Sequence, residues 1–586
     1  MLKKTRKTVN RTIQKLSGAE MIVKTFLRNN VKHTFVFPGG TIAPILDVIE
    51  KKTKIKIICP RNEQGAGYAA IAYAKLTGKP AVFMVTSGPG VTNAVTPVAD
   101  AYYDNVPLVI ITGQVGVTDM RGSIPVKQRG FQEVDTVDIF KSITKEALIV
   151  RDVRELPRII EHAFVTANRG RKGPVLVDLP MNVQREMCNS NKFFLTKKRN
   201  YKKPMPPRKN IELLARWVRE AKRPVILAGG GAIAADAGDE VRKLATRWHV
   251  PVVMSLPGIG VYPSPEPLSL GMCGYAGSQH ANLAIYNADL LICIGTTLHV
   301  RQTGSLPKRT APQARIARID IDQNELDHSR VPINLKINAD AREATATLNA
   351  ILRRYSRDKT LTDGWQKKIE EWKTQYPLVV GRHTTHLRPQ RIIELVDRVI
   401  QNRWVIVTTG VGQHQMWVSR HFNFDYPTRQ LLTSSGHGTM GFDLPAAIGA
   451  KIAHPNATVL CFVGDGSFQM NIQELATVAE LKLDIKIIVL DNHSLNIVAQ
   501  FQRQNWKSHP TTGEKYNPDF AKIAHVYGIY GVTIKSRRDL PSRLATALRH
   551  KGPVLIHCHI DPKEDLLPML LGGHTLDDMT FKSSFS

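Results

Sequence analysis

The sequence predicts an α/β protein of three doubly wound, parallel-sheet domains. Two observations predict it. Short apolar runs alternate with helix-length segments from Leu16 almost to the end, and each run stops at Gly, Pro or a polar residue. One stretch then shows the unit of construction. Thr458 to Asn492 holds an apolar run (Val459 to Val463), a Gly464-Asp465-Gly466 turn, a helix-period segment beginning near Ser467, and a second apolar run (Ile485 to Leu490) ending in Asp491-Asn492. Such a strand–helix–strand crossover is nearly always right-handed, and ligands bind beyond the carboxyl ends of its strands.

Taken in order, residues 1–15 form a basic leader without an apolar core, so it is no secretory signal. Residues 16–190 carry five strand-like runs: HTFVFPGG, IKIICPRNEQGAG, AVFMVTSGPG, LVIITGQV and PVLVDLP. A Lys/Pro-rich linker, 191–210, follows. Residues 211–352 hold PVILAGGG, PVVMSL, LLICIGTTL and ARIARIDID, a Rossmann-like pattern without a clean GxGxxG. A charged linker, 353–384, leads to the third domain, 385–561, with WVIVTTGVGQH, the crossover above and PVLIHCHI. The tail, 562–586, either lies across a site or covers apolar surface.

Composition narrows the classes. With 586 residues, 42% hydrophobic and 22% charged, the chain can build several ordinary cores without a metal or disulfide staple. No run of about 18 apolar residues occurs, so no membrane span is expected. The net charge of +30 is spread along the chain, with no nucleic-acid module beside it, so no nucleic-acid partner is expected; the charge would help draw anionic substrates. Six scattered cysteines, without CxxC, suggest reduced thiols in a cytoplasmic protein. His557-Cys558-His559 has the look of a ligand set, but its setting, VLIHCHI, reads as a strand end with alternating faces.

The chemistry concentrates at the crossover. Gly464 and Gly466 let backbone approach a phosphate, and the helix start at Ser467 turns N–H groups toward it. Asp465 and Asn492, one carboxylate and one amide oxygen, are suitable ligands for a Mg²⁺ that holds a diphosphate. A Gly-Asp-Gly turn alone is common; the Asn about 25 residues on, also at a strand end, makes the signal specific. It resembles the thiamine-diphosphate fold motif. Glu63, just after a strand, would then be the carboxylic acid that exchanges a proton with the cofactor's aminopyrimidine ring.

Further motifs name the family. Phe37-Pro38-Gly39-Gly40, Asn62-Glu63-Gln64-Gly65-Ala66, Thr86-Ser87-Gly88-Pro89-Gly90 and Gly113-Gln114-Val115 resemble the pyrimidine-binding domain of acetolactate (acetohydroxyacid) synthase large subunits. Thr409 to Trp417, Gly438-Thr439-Met440-Gly441 and Leu444-Pro445-Ala446-Ala447 resemble their diphosphate-binding domain. The resemblance covers nearly the whole chain from Leu16 and keeps motif order. It implies pyrimidine-binding, central Rossmann-like and diphosphate-binding domains. It implies that Glu63 is the activating acid and that Gln114 faces the substrate. Pro38, Gly39, Gly412, Gln413, His414, Gly438, Gly464, Gly466 and Ser467 would contact the cofactor, with Met440 as a wedge beneath it. Asp465, Asn492 and the Ser494 carbonyl would hold Mg²⁺. The implied reaction is decarboxylation of pyruvate and joining of its two-carbon unit to a second 2-oxo acid, as in branched-chain amino acid biosynthesis. The implied assembly is a homodimer or homotetramer, open to a small regulatory subunit.

Some positions depart from that family. Asn496-Ile497-Val498-Ala499-Gln500-Phe501 stands where the synthases read Gly-Met-Val-x-Gln-Trp, which puts a larger acceptor in question. Met181 replaces a Lys. The basic loop GVTDMRGSIPVKQRG and the segment Leu298 to Gly304 look more like related enzymes of surface-polysaccharide gene clusters. A structural FAD is implied for the synthases. Arg171, Gly229, Gly230, Gly231, Gly295, Arg301 and Asp320 match its site, but Thr297 replaces an Arg and neighbouring acids are gone. FAD stays open: Gly230 serves it or only closes a tight strand–helix turn. An inactive cofactor-binding homologue is the alternative of another class, opposed by intact Glu63, Asp465 and Asn492.

Overall fold

The structure, a computed structural model, describes residues 15–189, 203–358, 360–378, 386–401, 403–506, 512–513 and 515–585. The leader expected at 1–15 lies almost wholly outside these residues, as does much of the 191–210 linker. The chain divides into two compact units, Met1–Ala74 with Lys79–Tyr201, and Lys75–Gly78 with Lys202–Ser586.

The first unit holds a six-stranded parallel sheet. Its strand order is Lys56–Ile58, His33–Phe37, Ala81–Val85, Leu108–Gln114, Val175–Pro180, Glu146–Ile149. Numbered along the chain, that is 2-1-3-4-6-5. The interior strands Ala81–Val85 and Leu108–Gln114 are buried throughout, as helices on both faces require, which is why Ala81–Val85 and the first four residues of Leu108–Gln114 read as unbroken apolar runs. A short antiparallel pair, Lys15–Ser17 with Met187–Asn189, brings the unit's ends together.

The second unit carries two six-stranded parallel sheets. The central one has the order Ser269–Met272, Val252–Met254, Pro224–Ala228, Leu290–Ile294, Arg315–Asp320, Leu335–Asn338. This is 3-2-1-4-5-6, the dinucleotide-fold order. The C-terminal one has the order Arg429–Thr433, Val405–Thr409, Thr458–Gly464, Ile485–Asp491, Val554–His559, Tyr530–Ile534. It repeats the 2-1-3-4-6-5 order of the first unit. One apolar core runs through both sheets of the second unit, joining Ile226 and Ile292 to Val407 and Leu460.

The crossover expected at Thr458 to Asn492 is present. Thr458–Gly464 and Ile485–Asp491 pair in parallel, with Val459 opposite Ile485 and Gly464 opposite Leu490. Its helical part differs in detail: the first helix, Asp465–Met470, starts two residues earlier than expected and yields to Ile472–Glu474 and Leu475–Glu480. In the three six-stranded sheets, the strands that sequence patterning did not find are all edges: Glu146–Ile149, Ser269–Met272, Leu335–Asn338, Arg429–Thr433 and Tyr530–Ile534. Most edge strands are only partly covered, so their apolar pattern is broken.

Candidate functional site

In the C-terminal sheet the strand order reverses between Val405–Thr409 and Thr458–Gly464, and a ligand is expected just beyond their carboxyl ends. A cavity of about 550 Å³ opens there. It brings together Gly412, Gln413, His414, Met440, Gly464, Asp465, Gly466, Ser467, Asn492 and Ser494, which lie up to 82 residues apart in the chain by number (412 to 494). Gly412, at φ 154°, ends the first turn in a conformation closed to other residues, and a Cβ there would meet the His414 ring at 2.6 Å. Gly438 does not line the cavity; it turns the chain at φ 75° toward Met440 and donates its N–H to Ser434 Oγ.

One carboxylate that the sequence did not single out ties these segments together. Asp443 is fully buried and accepts from the Gly410 N–H, His414 Nε2 (3.0 Å) and Ser467 Oγ. Ser467 Oγ in turn accepts the Gly441 N–H at 2.8 Å. Asp443 therefore holds in one place the turn after the first strand, the helix Gln413–His421 and the helix Asp465–Met470. The available signal was a lone acid in the apolar stretch Phe442 to Ala447.

The residues expected from the sequence to hold a metal sit beside it. Asn492 Oδ1 accepts the Ser494 N–H at 3.1 Å, folding the turn that presents the Ser494 carbonyl. Asn517 Nδ2 donates to Asp465 Oδ2 and Asp491 Oδ1, at 2.7 Å each. Burial and the adjacent Asp491 charge push the Asp465 carboxyl well above the usual carboxylate range. Asp491, though also buried, is held low by the His557 ring and the His493 N–H. Two buried acids with this strain call for a cation. Asp465, Asn492 and the Ser494 carbonyl form an all-oxygen donor set suited to Mg²⁺ beside a glycine-lined turn, so the residues fit a diphosphate–Mg²⁺ group.

In the first unit, Glu63 opens the helix Glu63–Thr77 and is buried; Asn93 Nδ2 donates to its Oε2 at 3.0 Å. Pro38 and Gly39 follow the strand His33–Phe37, and a Cβ on Gly39 would strike Thr86 at 2.4 Å. Gln114 is turned inward. Its Nε2 donates to Asp178 Oδ2 (3.1 Å) and the Val134 carbonyl (2.9 Å), and its Oε1 accepts the Val115 N–H. Asp178 beneath it is pushed up to about 7 by burial, which outweighs the Thr112 and Gln114 donors.

The residues matched to FAD are engaged otherwise. Gly229 and Gly231 donate their N–H groups to the Ile294 and Gly295 carbonyls, both at 2.9 Å. A Cβ on Gly229 would lie 2.2 Å from the Gly295 oxygen, and one on Gly230 3.0 Å from Pro257. Asp320 accepts from Arg318 and from the Asp322 N–H, each at 3.0 Å. Arg171 Nε donates to Asn105 in the first unit. Only Arg301, stacked over Tyr275, reaches the cavity described above.

The tail borders that cavity through Met569 to Gly572, and the Glu564 carbonyl accepts from Asn496 Nδ2 at 3.2 Å. Phe501 also lines it, half exposed, against Trp506.

Comparison with known proteins matches the three domains of the chain to one class. Family models for the thiamine pyrophosphate enzyme N-terminal TPP binding domain, central domain and C-terminal TPP binding domain match residues 16–139, 211–351 and 410–558. Within that class, the acetolactate synthase large subunit of Porphyra purpurea is 37% identical, over 95% of this chain and 94% of its own. That of Haemophilus influenzae is 37% identical, over 97% and 98%, and the chloroplastic acetolactate synthase of Arabidopsis thaliana 36%, over 97% and 84%. The chain belongs to the acetolactate synthase large-subunit family of thiamine pyrophosphate enzymes.

Proposed function

We propose that the protein is a thiamine-diphosphate- and Mg²⁺-dependent carboligase of acetolactate synthase type. It would decarboxylate pyruvate and join the two-carbon unit to a second 2-oxo acid, in branched-chain amino acid biosynthesis. The observation that carries this reading is the oxygen donor set of Asp465, Asn492 and Ser494 beside the Gly464–Ser467 turn, at the mouth of a mainly apolar cavity. When bound, thiamine diphosphate supplies an electron sink for the loss of CO₂. The chain's own residues do the rest. Asp465 and Asn492 would hold the metal, Asp443 sets the backbone around it, and Met440 lies against the Gly466 position, 3.5 Å from a Cβ built there. Glu63, fixed through Oε2 by Asn93, would exchange a proton with the pyrimidine ring.

The reading takes the active form as a homodimer or homotetramer, with Glu63 reaching a site on another subunit, and leaves room for a small regulatory subunit. The scattered cysteines, without a CxxC, support a cytoplasmic setting, and no helix among the described residues is long and apolar enough to cross a membrane. FAD stays open in it: the contacts of Gly229, Gly231 and Asp320 fit a tight structural turn, Arg301 reaches the cavity, and a flavin absorbance band in the pure protein, or none, decides. A second reading, a carboligase of a specialised pathway such as surface-polysaccharide synthesis, draws on Phe501, a half-exposed side chain that lines the cavity.

Acetolactate formed from pyruvate with thiamine diphosphate and Mg²⁺ is the test. No product from cofactor-loaded protein rejects the main reading, and a panel of 2-oxo acids then separates the second. Glu63→Gln should nearly abolish turnover while sparing Mg²⁺-dependent cofactor binding; wild-type turnover would remove Glu63 from its role.

A further inference from the structure

The histidines at the end of the strand Val554–His559 are not used by this reaction. We propose that Asp491, His493 and His559 form a second metal site, for a transition-metal dication of the zinc class. Strand pairing sets Asp491 directly opposite His559. Alternation along the strand puts His557 and His559 on one face with Asp491 and sends Cys558 to the other. His493 follows two residues later in a left-handed conformation, φ 56°, and its N–H donates to Asp491 Oδ1 at 2.9 Å. The Lys515 N–H donates to its carbonyl, so the turn that aims His493 at the strand ends is pinned on both sides.

Potential ligand atoms of Asp491, His493 and His559 lie within 4.8 Å of one another. Zinc–ligand bonds of about 2.1 Å place tetrahedral donors roughly 3.4 Å apart, so side-chain rotation of about 1 Å would close the set. A fourth position stays open for water. The supporting contacts match a ligand set as well. His557 Nε2 donates to Asp491 Oδ2 at 2.8 Å and fixes the carboxylate plane. The ring of His559 has no hydrogen-bond partner among the described residues, which leaves a nitrogen lone pair available. Two imidazoles and one carboxylate suit zinc-class ions, whereas the all-oxygen set of Asp465, Asn492 and Ser494 suits Mg²⁺. The two sites are separate in chemistry but joined by Asn517, which donates to Asp465 and Asp491. A bound ion would thus stiffen the 491–494 turn that carries Asn492 and Ser494.

The test uses the full chain in excess Mg²⁺, which fills the oxygen site, titrated with Co²⁺ as the spectroscopic probe. One equivalent should develop the strong visible d–d absorption of a four- or five-coordinate, nitrogen-containing site, and Zn²⁺ should displace it. His559→Ala should lose the band. His493→Gln, a change at a half-exposed side chain that preserves folding, should lose it too. Weak bands of a six-coordinate oxygen site alone, or a strong band that persists in His493→Gln, would overturn the proposal. The result is independent of whether pyruvate is a substrate.

Discussion

Two glycine-rich turns on the carboxyl edges of neighbouring sheets look alike in sequence and differ in what they do. At Gly229-Gly230-Gly231 the backbone N–H groups reach the carbonyls of the next strand end, and a Cβ at the first glycine would sit 2.2 Å from backbone oxygen. The glycines there allow two chain segments to touch. At Gly464-Asp465-Gly466 the nearest obstacles to a Cβ are the His414 ring at 3.0 Å and the Leu495 side chain at 2.5 Å, and the turn faces a cavity. Acids follow the same division: Asp320 is neutralised by Arg318, whereas Asp465 faces a second acid and has no ion-paired cation among the described residues. A glycine-rich turn is a candidate phosphate site when it faces a cavity and its acid has no cation fixed beside it among the described residues.

The largest expected effect tests the acids. Asp465→Ala should weaken Mg²⁺-dependent thiamine diphosphate binding by more than roughly 100-fold, as ligand loss does at metal sites. Asp320→Ala should leave that affinity intact in calorimetric titration while lowering stability. Equal loss of affinity in both variants would dissolve the contrast. Next come the glycines. Gly229→Ala should destabilise the fold by about 3 kcal/mol, because backbone cannot yield to the new methyl. Gly464→Ala meets only the edge of a side chain, so denaturation should show a near-native fold and titration a weaker cofactor.

A third buried acid extends the comparison to a site with no side-chain ion pair among the described residues. Burial pushes Asp178 up to about 7 from an unfolded value near 3.8, outweighing its hydroxyl and amide donors and the more distant Arg151 charge. The folded state then binds the extra proton between these values, so its stability falls as pH rises from about 4 to 7 and levels off above. The change should be on the order of 2 kcal/mol between pH 5 and 7. Asp178→Asn should flatten that slope in urea denaturation; an unchanged slope would show that Asp178 is ionised in the fold. The smallest effect is expected at Asp443→Asn, which turns one acceptor toward a donor and should weaken cofactor binding about 10-fold with little loss of fold stability.

Much of this was legible in the sequence where burial is complete. The strands Ala81–Val85, Pro224–Ala228 and Ile485–Asp491 are buried at every position, so most of their residues are apolar. Edge strands such as Glu146–Ile149 and Tyr530–Ile534 lack that constraint and left no clear pattern. Asp465 and Asn492 were legible because one crossover carries both. Asp443 was not, since its three partners, Gly410, His414 and Ser467, come from separate turns.

By itself, the sequence determined the three α/β domains, the parallel crossover and the residue types able to hold a diphosphate and its metal. Those depend on local periodicity and on short spacings along one supersecondary unit. Tertiary structure alone decided which glycines face a cavity, which acids already have a cation, that Gln114 turns inward, and that Asp491, His493 and His559 converge. These are properties of strand order and register, which place residues from distant segments side by side and cannot be read from spacing along the chain.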